Sequence, residues 1–398
     1  MKNTKGVLTI PIIVIMGVLS FILWVSNFEQ KSKSVFMSED VKMINLNPED
    51  VIDVFSNRDD ESFVKTNEDK YEIKITNNIP EKEVLRIVFS NEKKIILSNT
   101  KFIIYIDSEN NMKERFIDLR KLDDFDNDRS EVSVDRKGEN IIYSSFNEKD
   151  NIKYVYYIDV KEGTGIKIAE NPIEDFVDSW SYNSKYYTYA DKEGKKIVVF
   201  DIEKLEVNKI DFKRDYLKKV LITDKGEVFA EGNKKYVIRR DENYELAECV
   251  IAGNFLSSYK NKLISFENGI LYEYENGAMT KLNEVAEQFQ VVKQVNHNIL
   301  LSDESSTIIY NIEENRLHKY SFKYEYLDMI IPSINGNRCL IKSKRYNNRI
   351  IGSNGQYYKV KDINLMKIIG DCSWIDEETL IGIYYTEDDK PIIINVEI

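Results

Sequence analysis

Histidine and cysteine are scarce in this chain of 398 residues, and each scarcity narrows the chemistry it can support. The two histidines are His297, in the turn VNHN, and His318, expected on an exposed strand. Neither stands near a serine or cysteine in a recognisable catalytic setting, and there is no G-x-S-x-G elbow, so serine-peptidase chemistry is not expected. The three cysteines, Cys249, Cys339 and Cys372, lie far apart with no C-x-x-C or Cys/His metal spacing. They read as small apolar strand residues, with a Cys339–Cys372 disulfide as the alternative. No glycine-rich phosphate loop occurs. Basic residues are outnumbered 56 to 68, for a net charge of −12, and no Lys/Arg cluster offsets the balance. A nucleic-acid partner is therefore excluded, because phosphate neutralisation needs a basic face.

What is present is apolar and strand-forming. Hydrophobic residues make up 42% of the chain and charged ones 31%, which suits a packed core rather than disorder. The 25 tyrosines and 18 phenylalanines, with abundant Ile and Val, favour β-structure.

The N-terminus carries a separate signal. Residues 6–28 contain no charge, and a helix of about 20 residues spans the hydrocarbon core of a bilayer. Lys2 and Lys5 flank it on one side, and Trp24 and Phe28 suit the far interface. The apolar run is longer than a signal-peptide core, and no A-x-A-like site follows. The expected organisation is a short cytoplasmic N-terminus (1–5), a transmembrane signal-anchor helix (6–28), a linker (29–61) with one helical turn after Pro48, and an extracytoplasmic body (62–398). The Lys, Asn, Ile and Tyr bias is that of an AT-rich bacterial genome.

From about Ser62 short apolar runs alternate with polar turns every 8 to 12 residues, an all-β pattern. The stretch SWSYNSKYYTYA (179–190) has the grammar of VSVDRKGENIIYSS from Val132, ITDKGEVFA from Ile222 and CSWIDEETLIGIYY from Cys372. Units begin near Leu85, Glu131, Phe176, Lys219, Ala252, Gln288, Leu327 and Ile369, a spacing close to that of four-stranded propeller blades. The last unit has only three strands, and YEIKIT (71–76) is placed to complete it, joining both chain ends in one blade.

Several strands end in an acidic or amide residue with a basic residue eight positions on: Asp107/Arg115, Asp159/Lys167, Asp201/Lys209, Asn311/Lys319 and, with a glutamate, Glu273/Lys281. The spacing suggests cross-strand pairs facing one another in a hairpin.

SWSYNSKYYTYA and SVDRKGENIIYSS resemble the Ser-Pro-Asp-Gly-Lys-x-Ile-x-Tyr motif of TolB-type, WD40-like β-propeller repeats. The proline position of the motif is taken by Tyr182 in one unit and Val134 in the other. The resemblance implies a seven- or eight-bladed β-propeller preceded by one N-terminal transmembrane helix, and in that family the motif is structural.

Candidate sites are few. Trp180 and Trp374 occupy equivalent unit starts and suit either aromatic platforms near the channel mouth or packing in the wedge between blades. Asp124, Asp126 and Asp128 have calcium-loop spacing, but Arg129 stands where glycine is needed, so a solvated loop is expected. No catalytic residue, metal or cofactor is expected. The functional expectation is a membrane-anchored, non-catalytic protein-binding or scaffold module of the bacterial envelope. The alternative is a propeller hydrolase or lyase with a carboxylate or metal site at the central channel.

Overall fold

Runs such as FIIYID (Phe102–Asp107) and KIVVFD (Lys196–Asp201) are apolar almost without interruption because both faces of these strands are buried. A strand with one wet face would alternate instead. A computed structural model describes residues 34–36, 41–53, 72–74, 85–107, 113–122, 130–147, 152–171, 176–191, 196–212, 216–240, 244–295, 297–303, 306–321, 329–342, 349–358, 371–385 and 391–397. The anchor segment 6–28 and the Asp124–Asp128 run lie outside them. Among the described residues no helix is long and apolar enough to cross a membrane.

The described strands form eight antiparallel sheets. Blade 1 sets the plan with Arg86–Ser90 innermost, then Lys94–Ser98, Phe102–Asp107 and Lys113–Asp118. The innermost strands of blades 2 to 8 begin at Ser130, Phe176, Lys219, Asn254, Gln290, Met329 and Cys372. These starts lie within three residues of the units read from the sequence. Eight buried apolar clusters fill the wedges between successive blades, and the one containing Leu97, Ile104, Ile381 and Ile393 joins blade 8 to blade 1. The ring is therefore closed: an all-β propeller with four antiparallel strands per blade.

Four short strands precede blade 1. We label them β1 (Ser34–Phe36), β2 (Val41–Asn45), β3 (Ile52–Asp53) and β4 (Glu72–Lys74), with a 3-10 turn at Pro48–Asp50. β4 pairs with Ile392–Ile394 and completes blade 8, as the sequence suggests. The segment read as a linker contributes to the sheets as well. β1, β2 and β3 add a fifth, outermost strand to blades 4, 3 and 2 in turn, so the chain runs backwards round the rim before entering blade 8. Capping an open sheet edge removes a template for unwanted pairing.

The acid-to-base spacing has a different cause from the one expected. Asp159 faces Thr164, Asp201 faces Glu206 and Asn311 faces Arg316, because each hairpin closes with a four-residue loop. Position p thus meets p+5, and Lys167 lies opposite Tyr156 instead. In blade 1 Asp107 faces Lys113, and in blade 5 Glu273 faces Thr280. The Asx side chains hold the loops. Asp159 Oδ1 accepts from the Lys161 and Glu162 amides at 2.9 Å, Asp201 Oδ1 from Lys204 at 3.2 Å, and Asn311 Oδ1 from Glu314 at 2.9 Å. Short Asx side chains favour such local turns over cross-strand pairing.

The repeated turn between the first two strands of a blade is built alike in several units. Asp135, Ser181 and Ser333 each send their amide to a carbonyl five residues on, and their carbonyl accepts from Gly138, Ser184 and Gly336 respectively. That third turn residue is left-handed, with φ of 64°, 65° and 78°. At Gly138 a Cβ would also stand 2.5 Å from a Phe89 ring carbon in blade 1.

Candidate functional site: the channel mouth and inner wall

In an up-and-down blade the first and third turns emerge on one face. The middle hairpin and the blade-to-blade connector emerge on the other. We call these the turn face and the connector face. On the turn face the residue after each buried turn starter is Arg136 in blade 2, Tyr182 in blade 3, Asp224 in blade 4 and Ile334 in blade 7. The hydrogen-bond register thus aligns Arg136 with Tyr182, and corrects the alignment that set Val134 there.

Arg136 and Tyr182 reach across to side chains of blades 5 and 6. Arg136 Nη1 lies 2.6 Å from His297 Nδ1 of blade 6, the blade opposite in an eight-membered ring. The Arg136 guanidinium stacks 4.6 Å above the Tyr182 ring. The Tyr182 hydroxyl donates to Glu313 Oε1 at 2.7 Å, and that carboxylate lies 3.3 Å from His297 Nδ1. Tyr259 of blade 5 meets Tyr182 edge-on at 4.7 Å, with the Lys260 ammonium 5.1 Å from the Tyr259 ring. Asp224 Oδ1 accepts from the Asn183 amide at 2.7 Å, tying the turns of blades 3 and 4 together. A bridge of side chains therefore crosses the mouth of the channel on this face.

The bridge fixes the state of His297. Burial first, then the Arg136 charge, push its pKa down to about 4, against an opposing pull from Glu313. Arg136 donates to Nδ1, so the proton of the neutral ring sits on Nε2. An unfolded histidine titrates near 6.5, so between pH 6.5 and 4 the unfolded chain binds more protons than the folded one. This contribution to stability is complete above pH 6.5 and is lost as pH falls towards 4, by at most about 3 kcal/mol. We predict that His297→Gln flattens this part of the stability profile relative to the wild-type chain, measured by denaturant melts at pH 7 and pH 4.5.

A second polar group lines the inner wall between blades 2 and 3. Asp178 stands on the innermost strand of blade 3, and its Oδ2 accepts from the Tyr187 hydroxyl at 2.9 Å. Burial pushes the Asp178 carboxyl up, against hydrogen bonds from Tyr187 and Ser133, while nearby Glu131 adds to the rise. Glu131 is itself bound by Lys153 Nζ at 2.7 Å. Trp180 donates from Nε1 to Ser133 Oγ at 2.9 Å, and its ring lies 5.0 Å from that of Tyr187. The indole packs in the wedge of blades 2 and 3. Trp374 is buried in the wedge of blades 7 and 8 and donates to the Ile331 carbonyl at 2.9 Å.

Two other expectations are corrected. His318 is buried, not exposed: it packs near Gly336, and burial lowers its pKa. No Cys339–Cys372 disulfide forms, because Cys339 lies in the wedge of blades 6 and 7 and Cys372 in that of blades 7 and 8. Burial raises the Cys249 thiol to about 12. Among the described residues no three His, Cys, Asp or Glu side chains are grouped to hold a metal ion.

No family model and no curated protein matches the chain. Solved structures similar to it include the C-terminal WD40 domain of Sif2, at 13% identity and a TM-score of 0.45, covering 79% of this chain and 99% of that one. Hsv2 of Kluyvelomyces marxianus is similar at 10% identity and a TM-score of 0.41, covering 67% and 96%. Virginiamycin B lyase from Staphylococcus aureus is similar at 11% identity and a TM-score of 0.39, covering 83% and 99%. The propeller architecture rests on the chain's own strand register.

Proposed function

We propose that this chain is a membrane-anchored, TolB-type propeller of the bacterial envelope, with its body outside the cytoplasmic membrane, serving as a non-catalytic platform for a protein partner. The observation that carries this reading is the bridge on the turn face. Arg136, Tyr182, His297 and Glu313 spend their charges and hydrogen bonds on one another across the channel mouth. The same face exposes Ile334 and Tyr357 on blade 7, with Tyr357 60% exposed, the kind of aromatic anchor that binding surfaces use. A photo-crosslinking residue at 357 should capture one discrete envelope protein in intact cells, and one at 162, in the turn-face hairpin of blade 2 on the other side of the ring, should capture much less. Equal or no capture at the two sites would sink the reading. The topology is tested separately: protease added to intact cells should digest the body.

Asp178 supports a second reading, an enzyme acting on a ligand that reaches the inner wall from the connector face. A carboxyl on the innermost strand whose pKa is raised by burial is a candidate for proton chemistry. Its folded pKa lies above the ordinary carboxylate value, so the folded chain holds the proton longer, and stability falls as pH rises through that range. We predict that Asp178→Asn raises the melting temperature at pH 7.5 and removes this part of the pH dependence, seen by calorimetry at two pH values. If the purified body turns over a substrate and Asp178→Asn abolishes turnover, the enzyme reading displaces the platform.

A further inference from the structure

The path of β1 gives the body an orientation. The outermost native strand of blade 4, Tyr244–Glu248, runs towards the connector face, since the connector to blade 5 follows it. β1 pairs antiparallel to it, with Ser34 opposite Ala247, so β1 begins at the connector-face edge of blade 4. In sequence only residues 29–33 separate Phe28, the end of the apolar run, from Ser34. Six chain steps reach about 20 Å at most, at roughly 3.3–3.6 Å each. Residues 6–28 inserted in a bilayer would hold this edge within that distance of the lipid.

The surface found there has the composition of a lipid interface. The connector entering blade 4 exposes Tyr216, at 57%, together with Lys218. The connector leaving it exposes Val250, at 69% the most exposed large apolar side chain among the described residues. The middle hairpin of the same blade exposes Lys234, whose ammonium lies 2.9 Å from Glu248. Tyrosine suits the headgroup level, and lysine stems can lie along apolar surface with the ammonium among anionic headgroups.

We propose that the connector-face edge of blade 4, centred on Tyr216, Lys218 and Val250, lies against the surface of the anionic bilayer in which residues 6–28 are inserted. This rests on the membrane-anchored reading above and adds to it: the ring stands on one blade, and the turn face with Tyr357 points away from the lipid.

The full-length chain is reconstituted into vesicles of phosphatidylcholine and phosphatidylglycerol with brominated acyl chains. An environment-sensitive fluorophore is placed at Val250→Cys or, separately, at Tyr216→Cys or Tyr357→Cys, all in a Cys249→Ser background. Flotation with the vesicles reports the anchor. Brominated lipid should quench the probes at 250 and 216 at least twofold and leave the probe at 357 unchanged. Two reporters on the patch guard against one labelled variant folding poorly, and Lys218→Glu should reduce quenching at 250. A chain that floats while 250 and 216 are quenched no more than 357 overturns the docking edge and leaves the anchor standing. A chain that does not float overturns both.

Discussion

Asp135→Ala is expected to lower the unfolding free energy by about 3–5 kcal/mol, the most damaging single substitution in the repeated turns. Asp135 is fully buried. Its Oδ1 accepts from the amides of Glu139 at 2.8 Å and Asn140 at 3.2 Å, and its Oδ2 from Asn140 Nδ2 at 2.7 Å. Alanine leaves all three donors without that acceptor, and hydrogen bonds to a charged group are each worth about 1.5–3 kcal/mol. The damage spreads between blades. The turn sets Gly138 against Phe89, and Asn140 also accepts from the Tyr157 hydroxyl at 2.7 Å. The control is Ser181→Ala, the same position one blade on. There Oγ accepts from the Tyr186 amide at 2.9 Å and donates to Asn183 Oδ1 at 2.8 Å, so about 1–2 kcal/mol should be lost. Urea melts of the two variants decide the point. Equal costs would mean that the turns are held by their backbone bonds alone.

The blades were legible because the same physical demand recurs in each. A central strand buried on both faces must be continuously apolar, and a tight turn must offer Asp, Ser or Thr followed by a left-handed position. FIIYID, KIVVFD and the Asp135, Ser181 and Ser333 turns satisfy both demands within a few dozen residues, so the repeat shows without any tertiary knowledge. The completion of blade 8 was legible for a related reason: a three-stranded last unit leaves an unpaired apolar edge, and YEIKIT is the strand that precedes blade 1.

The remainder depends on register and on distance in space. One spacing, eight residues, admits either a cross-strand pair or a turn-capping Asx followed by an unrelated lysine. Loop length decides between them, and it becomes certain only when the pairing Asp159 with Thr164 is seen. The rim strands were missed because strands of two to five residues have too little periodicity to read; they are strands only because blades 2, 3 and 4 offer open edges. The channel-mouth bridge joins Arg136 to His297, 161 residues away, and no local pattern records such a meeting. The one trace was the departure at Tyr182 from the proline of the motif. Proline cannot reach the axis with a hydrogen-bonding group, whereas Tyr182 and Arg136 at that position both do.

Ring closure should be as costly to remove as the Asp135 carboxylate. A chain beginning at residue 80 lacks β4, whereas one beginning at residue 55 keeps it and loses only the rim strands β1 to β3. With β4 in place, blade 8 is joined to blade 1 by a covalent connector, as every other pair of blades is. Without it that junction is held by the Leu97–Ile104–Ile381–Ile393 wedge and by the Ser90 hydroxyl donating to the Trp374 carbonyl at 3.1 Å. The ladder of Ile392–Ile394 also becomes an open edge beside a core residue, Ile393. Loss of the strand should cost about 3–5 kcal/mol from its ladder bonds and from the uncovering of Ile393, lowering the melting temperature by about 10 °C. The exposed edge should also favour self-association, visible by size-exclusion chromatography. The chain from residue 55 should melt within about 3 °C of the same body with its rim strands retained, because those strands only cap edges of sheets already four strands wide. A synthetic peptide of residues 66–80 added to the shorter chain should restore monomeric behaviour and most of the lost stability. If both truncations melt together and the peptide does nothing, the wedges alone close the ring, and β4 is a rim strand like the other three.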